Sequence, residues 1–429
     1  MTDATTTPAG SVSLVACHEC DLLQRESAVP RDGTLRCARC RAELYRDHPD
    51  STDRALAYTL TCIVLFVIGN VYPIVGLAVN GDLVETTLLG AARVLYKDGM
   101  WPLAGLVLAT TFLMPLLQIT AMAYLLVPLR LNRRPYRADL VFRLMHLAQP
   151  WGMTEVLILG MLVALVKLAH IASVVPGVAL WSFGALMLLL AAASSAFDPR
   201  ALWQRIGGFD DVVSTNEASA AASAHTALHC GLLSCHSCGL LVKSAAHVHG
   251  ARCPRCGTHL HARKPNSIAR TWAFLIAAIV LYIPANALPV MNTSSLFGTE
   301  KDTILSGVVY LWTSGSWPLA LVVFIASIAV PMLKIIALMY LVISTQRRSL
   351  TLVQQRSRIY RLVELVGRWS MLDIYVITVL VALVQFNALA TIQAGPAAVA
   401  FGSVVVLTMF AAMSFDPRLM WDATEDHHV

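Results

Sequence analysis

The feature that most constrains this chain is a series of apolar blocks at 55–79, 101–127, 153–175, 177–196, 271–291, 317–343, 371–393 and 396–414. A helix needs about 20 apolar residues to cross the hydrocarbon core of a bilayer, and each block is long enough. Composition agrees: 57% of residues are hydrophobic and 14% charged, against about 25% charged in a typical soluble domain. A disordered chain is excluded, and the composition argues against an ordinary soluble enzyme. The polar stretch 1–10 has no basic run followed by an apolar core, so it predicts a cytoplasmic start rather than a signal peptide.

The blocks belong to an internal repeat. Cys17-x-x-Cys20 and Cys37-x-x-Cys40 recur as Cys235-x-x-Cys238 and Cys253-x-x-Cys256. Asn70, Pro73, Trp101-Pro102 and Pro115 recur as Asn286, Pro289, Trp317-Pro318 and Pro331. Trp151 and Glu155 recur as Trp369 and Asp373, and Phe197-Asp198-Pro199-Arg200 recurs as Phe415-Asp416-Pro417-Arg418. A constant offset of 216 or 218 residues relates the copies. The expected fold is an all-α polytopic membrane protein with two tandem four-helix transmembrane modules, each preceded by a small Cys-rich head. The expected divisions are a first head at 14–50, a first module at 55–205, an Ala/Ser/Thr-rich linker at 207–229, a second head at 230–264 and a second module at 268–421.

Basic residues predict the orientation. Arg130, Arg133, Arg134, Arg137 and Arg143 crowd one connection of the first module, and Arg347, Arg348, Arg356, Arg358, Arg361 and Arg368 crowd its counterpart. Lys/Arg-rich loops stay in the cytoplasm. Eight spans then place both termini and both heads on the cytoplasmic side. The formal charge of +6 follows from this topology and implies no nucleic-acid partner.

Two CxxC knuckles separated by 16 and by 14 residues are the spacing of a four-thiolate metal site. Cys17, Cys20, Cys37 and Cys40 form one candidate set, and Cys235, Cys238, Cys253 and Cys256 the other. A head of this size buries too little to fold on its own, so a bound ion would supply folding energy. Structural zinc is the expected metal. A rubredoxin-like iron shares the spacing, and a thiol–disulfide relay is a third option. Cys62 predicts a small apolar filler, and Cys230 stands outside the quartets.

Four charged residues interrupt the apolar blocks: Glu155, Lys167, Lys334 and Asp373. A charge at the bilayer centre costs about 2.5–3.5 kcal/mol on insertion scales. Glu155 and Asp373 fall where a helix N-terminus would favour them. Lys334 lies about 13–14 Å from the cytoplasmic end of its block, with Asp373 as its available partner and Thr408 as a third polar group. The first module has Gln118, Glu155 and Leu190 at these positions, so the ionic cluster is complete only in the second. Transport and an interhelical polar clamp are both open roles for it. Lys167 predicts a position facing the bundle interior or a cavity rather than lipid. Asn70 and Asn286 are expected either to satisfy backbone freed by the nearby prolines or to line a substrate path.

The duplicated Cys quartets, with "CHSCGLL" and "RCPRCGTHL" in the second copy, and the duplicated Trp-Pro and Phe-Asp-Pro-Arg segments resemble the paraquat-inducible protein A family. The resemblance runs from about residue 14 to 421. The first head departs from it by lacking the glycine that follows Cys238 and Cys256. The resemblance implies zinc ribbons and a bacterial inner-membrane protein working with an MCE-domain protein that forms a tunnel across the periplasm. The implied activity is exchange of phospholipid or related lipids between that membrane and the tunnel, with Lys334, Asp373 and Thr408 as the transport cluster. No Gly-x-x-x-x-Gly-Lys-[Ser/Thr] sequence is present, so nucleotide hydrolysis of that kind is not expected. A membrane redox protein and a non-transporting anchor for a periplasmic partner are the alternatives.

Overall fold

The computed structural model describes residues 14–25, 33–46, 51–79, 82–152, 154–168, 173–207, 226–243, 251–295, 298–313, 315, 317–349, 351–367, 371, 374–376, 378, 381, 385–386 and 390–425. The chain is mostly helical, and the duplication seen in the sequence is a duplication of structure.

The first head consists of two β-hairpins, β1 Leu14–Ala16 with β2 Leu23–Arg25, and β3 Thr34–Arg36 with β4 Glu43–Arg46. The first module follows as α1 Ser51–Val71, β5 Val75–Val79, β6 Asp82–Thr86, α2 Leu88–Lys97, α3 Trp101–Leu108 and α4 Met114–Arg130. It continues through α5 Ala138–Ala148, α6 Thr154–Leu168, β7 Ser173–Pro176, α7 Val178–Ala196 and α8 Pro199–Ile206. The second head contains the hairpin β8 Leu232–Ser234 with β9 Leu241–Lys243. The second module runs α9 Ser267–Ala287, β10 Met291–Ser295, β11 Gly298–Asp302, α10 Ile304–Thr313, α11 Trp317–Phe324, α12 Val330–Gln346 and α13 Val353–Gly367. It ends with β12 Gln385–Phe386, β13 Ala390–Ala394, α14 Pro396–Ser414 and α15 Leu419–Glu425.

Seven stretches among the described residues are long and apolar enough to cross a membrane: Ser51–Val71, Trp101–Arg130, Ala138–Leu165, Val178–Ala196, Ser267–Ala287, Ala320–Gln346 and Pro396–Ser414. Of the expected block at 371–393, residues 374–376, 378 and 381 are helical and 385–386 and 390–393 belong to strands, while 372–373, 377, 379–380, 382–384 and 387–389 lie outside the described residues.

Several helices end earlier than their apolar blocks. α1 stops at Val71 and α9 at Ala287, and the residues beyond Pro73 and Pro289 form β5 and β10. α6 is described as far as Leu168, and Ser173–Pro176, at the end of the same block, form β7. Proline cannot donate the next helical hydrogen bond, and the β-branched residues that follow suit a strand. The apolar blocks therefore feed two small antiparallel sheets, in the order β6-β5-β7 and β11-β10-β13-β12. Leu77 pairs with both Val84 and Val174, and Thr293 with both Glu300 and Ile392. The expectation of a purely helical module is thus refined: each carries a sheet at the end remote from the heads.

Pro115 and Pro331 do not make a simple kink. Each sits just after a five-residue π turn, Ala109–Leu113 and Ile325–Ala329. Thr111 donates to the Val107 carbonyl at 2.7 Å, and Ser327 to the Val323 carbonyl at 2.6 Å. The repetition of this feature in both copies marks it as part of the module's design; π turns recur at functional sites.

Near the heads, Phe-Asp-Pro-Arg ends α7 and α14. Asp198 then caps α8 by accepting from the Arg200 amide at 2.9 Å, and Asp416 accepts from the Arg418 amide at 3.1 Å. Glu155 lies exposed in the first turn of α6, where a carboxylate favours the helix dipole. α7 packs along α1, and α14 along α9.

The two modules share one apolar core, which runs from Phe66, Phe183 and Leu186 to Tyr375, Phe401 and Val405. Tyr375 Oη donates to Thr110 Oγ1 at 2.9 Å across the seam, and the Trp151 and Phe410 rings lie 5.3 Å apart. The heads are exchanged. The first packs on the second module, in a core with Leu338, Leu341, Tyr360, Phe415 and Trp421. The second packs on the first module, in a core with Met122, Leu125, Phe142, Leu202 and Trp203.

Candidate metal centres and intramembrane cleft

Each head brings its four cysteines to one point. The sulfurs of Cys17, Cys20, Cys37 and Cys40 all lie within 4.8 Å of one another, as do those of Cys235, Cys238, Cys253 and Cys256, and all eight residues are buried. Cross-knuckle separations are 3.5 Å for Cys17–Cys40 and Cys20–Cys37, and 3.5 and 3.6 Å for Cys235–Cys256 and Cys238–Cys253. A tetrahedral ion with bonds of about 2.3 Å needs sulfurs about 3.8 Å apart. The donor set and spacing therefore fit a four-coordinate metal.

Hydrogen bonds among the sulfurs, reinforced by burial, raise the Cys20 and Cys238 thiols. The same hydrogen bonds lower Cys37 and Cys256 against burial. A divalent ion would hold all four as thiolates.

The knuckle turns have one geometry in both heads. Gly239 and Gly257 take φ of 72° and 67°, and Asp21 and Arg41 take 60° and 63° at the matching positions. The first head thus reaches the same left-handed turn without glycine. Asp21 is also engaged: its carboxylate accepts from Arg263 Nη1 at 2.9 Å, while Arg263 Nε donates to Asp422 at 2.9 Å. One arginine at the end of the second head therefore joins the first head to the end of the second module. Arg361 adds a second tie, with Nε 3.2 Å from Glu19 and a hydrogen bond of 2.6 Å to the Cys40 carbonyl. Burial lifts the Glu19 carboxyl to about 7 against the pull of Arg361.

Lys334, on α12, is only 3% exposed, and its Nζ has no hydrogen-bond partner among the described residues. Thr408 is buried on α14, but its hydroxyl donates to the Val405 carbonyl at 2.9 Å. Asp373, the expected partner of Lys334, lies outside the described residues. Lys167 belongs to α6. Asn70 Nδ2 donates to the Phe66 carbonyl at 2.7 Å and Asn286 Nδ2 to the Tyr282 carbonyl at 2.9 Å. Both amides bond back along their own helix and do not cap the carbonyl four residues before Pro73 or Pro289.

Lys334 borders a cleft of about 520 Å³ between the modules, lined also by His146, Gln149, Glu364, Gly367 and Met409. Its ammonium reaches across to α13, where a side chain on Gly367 would meet Nζ at 3.1 Å. At the matching place in the first module, Gln118 is buried and donates to Ser194 Oγ at 3.0 Å. The counterpart of Ser194 is Ala412, which lines the cleft and offers no acceptor side chain. Sequence reasoning found Lys334 but not the cleft or its first-module wall. The signal was present in the repeat: His146, Gln149 and Ser194 face Glu364, Gly367 and Ala412 in the second copy.

Comparison with known proteins agrees with this architecture. Intermembrane transport protein PqiA of Escherichia coli K12 is 34% identical over 411 residues, covering 95% of each chain. Lipophilic envelope-spanning tunnel protein A of the same organism is 31% identical over 413 residues, covering 95% of this chain and 91% of that one. A probable intermembrane transport protein of Haemophilus influenzae is 28% identical over 419 residues, covering 95% of each. No solved structure matches the chain. The pattern of paraquat-inducible protein A matches residues 52–207 and 268–425, both modules in full. With its duplicated helical modules, its paired four-cysteine heads and relatives that span nearly its whole length, the chain belongs to the paraquat-inducible protein A family.

Proposed function

We propose that this chain is a bacterial inner-membrane lipid transport protein. It exchanges phospholipids or related lipids between that membrane and a periplasm-spanning tunnel formed by an MCE-domain partner. The observation that carries this reading is the buried Lys334 ammonium at the wall of a cleft between two membrane modules. A cation at that depth is expensive unless a charge or a polar ligand meets it. The names of its relatives, an intermembrane transport protein and an envelope-spanning tunnel protein, support transport over catalysis.

In this reading the chain crosses the membrane eight times, with both termini and both heads in the cytoplasm. Each head holds one structural zinc through its four cysteines. Lys334, Asp373 and Thr408 form the transport cluster, with Gln118, Glu155, Lys167, Asn70 and Asn286 as secondary polar positions. Lysine presents three donors, so Lys334 can hold Asp373 and a ligand together.

The test is lipid extraction from the purified protein, with and without Asp373→Ala, alongside envelope lipid composition in cells lacking the chain. Lipid that co-purifies and falls in the variant supports transport. Normal envelope lipids together with no mutant-sensitive lipid defeat it. The four-sulfur geometry also suits a rubredoxin-like iron. Metal analysis separates the two: colourless protein with two zinc ions per chain removes the redox reading. A mere anchor would keep its function in Lys334→Ala and Asp373→Ala.

A further inference from the structure

The cleft carries a second charge, and its placement specifies a ligand. Glu364 lines the cleft with Lys334 and is exposed there. It precedes Gly367 by three residues on α13, so it shares that helix face, about 4.5 Å away along the axis. The Lys334 ammonium lies against Gly367. A cation buried in the cleft wall and an exposed carboxylate therefore stand one helical turn apart.

Their order relative to the heads follows from the contacts of α13 with the first head. Gln354, near the start of α13, donates to the Arg39 carbonyl, and Arg361 donates to the Cys40 carbonyl. The carboxylate of Glu364 is thus on the head side and Lys334 lies deeper. Arg361 is engaged with Glu19 and Cys40, which leaves Lys334 as the buried cation without a partner among the described residues. Met409, Val363 and Pro150 supply an apolar wall.

We infer that this cleft binds the zwitterionic headgroup of an amine-bearing phospholipid of the leaflet facing the heads, with its phosphate on Lys334 and its ammonium on Glu364. The inference rests on the lipid-transport reading and names its substrate class. A phospholipid in that leaflet points its amine toward the heads and holds its phosphate deeper, nearer the acyl chains. The two charges of the cleft follow that order. A primary amine donates hydrogen bonds to a carboxylate, whereas a glycerol headgroup places no cation against Glu364. The first module cannot make this site: His146 replaces Glu364, and Gln118 is already satisfied by Ser194.

The experiment uses the full chain purified in detergent, with the retained lipid identified by mass spectrometry. Wild type is expected to retain phosphatidylethanolamine over phosphatidylglycerol by about fivefold relative to the source membrane. Glu364→Gln is expected to bring that ratio back to the membrane value. Lys334→Gln is expected to lower the total; glutamine already occupies this position in the first module, so the variant has a folded precedent. Metal content and melting temperature check folding in both.

Retained lipid of membrane composition in wild type, or an unchanged preference in Glu364→Gln, overturns the headgroup assignment and leaves the transport reading standing. A wild type that holds no lipid overturns both. Free glycerophosphoethanolamine should displace retained lipid from wild type better than inorganic phosphate does. Equal displacement by inorganic phosphate would reassign the site to a free anion and overturn the proposal.

Discussion

Arg41 holds a left-handed conformation, φ 63°, in a knuckle turn where the second head has Gly257. A non-glycine residue there costs about 1–2 kcal/mol. Arg41→Gly is therefore expected to stabilise the first head by about 1 kcal/mol, seen as slower metal loss to a chelator. Glycine is required more strictly at Gly177 and Gly395, where an added Cβ would stand 2.2 Å from the carbonyl oxygens of Pro73 and Pro289. Those oxygens belong to backbone and cannot swing aside. Gly395→Ala should lower thermal stability by about 1–3 kcal/mol, whereas Gly184→Ala, which meets nothing within 4 Å, should be near neutral. Lys334 is the opposite kind of residue. Because glutamine keeps an amide donor at this position, Lys334→Gln should leave the melting temperature unchanged or higher while abolishing lipid transfer. A loss of stability to match the loss of function would assign Lys334 a structural role.

At the scale of elements, the ends of the apolar blocks became strands. The hydropathy of 72–79 or 171–176 is that of a spanning helix, and nothing local distinguishes it. Pairing does: β5 lies between β6 and β7, so its backbone donors and acceptors are satisfied by neighbours distant in sequence. Prolines 73 and 289 mark the change, but the sequence pattern alone places them within spanning blocks, where they free backbone groups. The heads were more legible, since CxxC spacing dictates a four-sulfur site through covalent reach. Metal removal tests their energetic role. A strong chelator is expected to unfold the hairpins of both heads and, because the first head packs on Leu338, Tyr360 and Phe415, to lower the melting temperature of the second module as well. Cys17→Ser with Cys37→Ser should reproduce that effect with the second metal retained. An unaffected second module would show that the head contributes nothing to its stability.

At the scale of the molecule, exchange of the heads couples the two halves. Arg263 is the clearest strut, since it bridges Asp21 of the first head and Asp422 of the last helix, and Asp21 is only 2% exposed. Removing one partner of a buried pair costs about 3–5 kcal/mol because the other charge is left stranded. Arg263→Ala is expected to destabilise by about 3 kcal/mol, and Asp21→Asn should restore part of it. A chain split within the Ala/Ser/Thr-rich linker should fold poorly as separate halves, because each half carries the head that caps the other. Co-expressed halves should co-purify, and soluble, monodisperse halves made alone would contradict the exchange.

The sequence by itself determined what depends on composition and spacing along the chain. Apolar block length requires a membrane protein, the offset of 216–218 residues requires two like modules, and CxxC pairs require two four-sulfur centres. It also singled out Lys334, because a charge within an apolar block is visible in one dimension. The tertiary structure decided which module each head covers, where helix gives way to sheet, and that Gln149 and Glu364 face one cleft with Lys334. These outcomes depend on contacts between residues that no local period relates. Burial, backbone pairing and charge separation are settled only when distant segments meet.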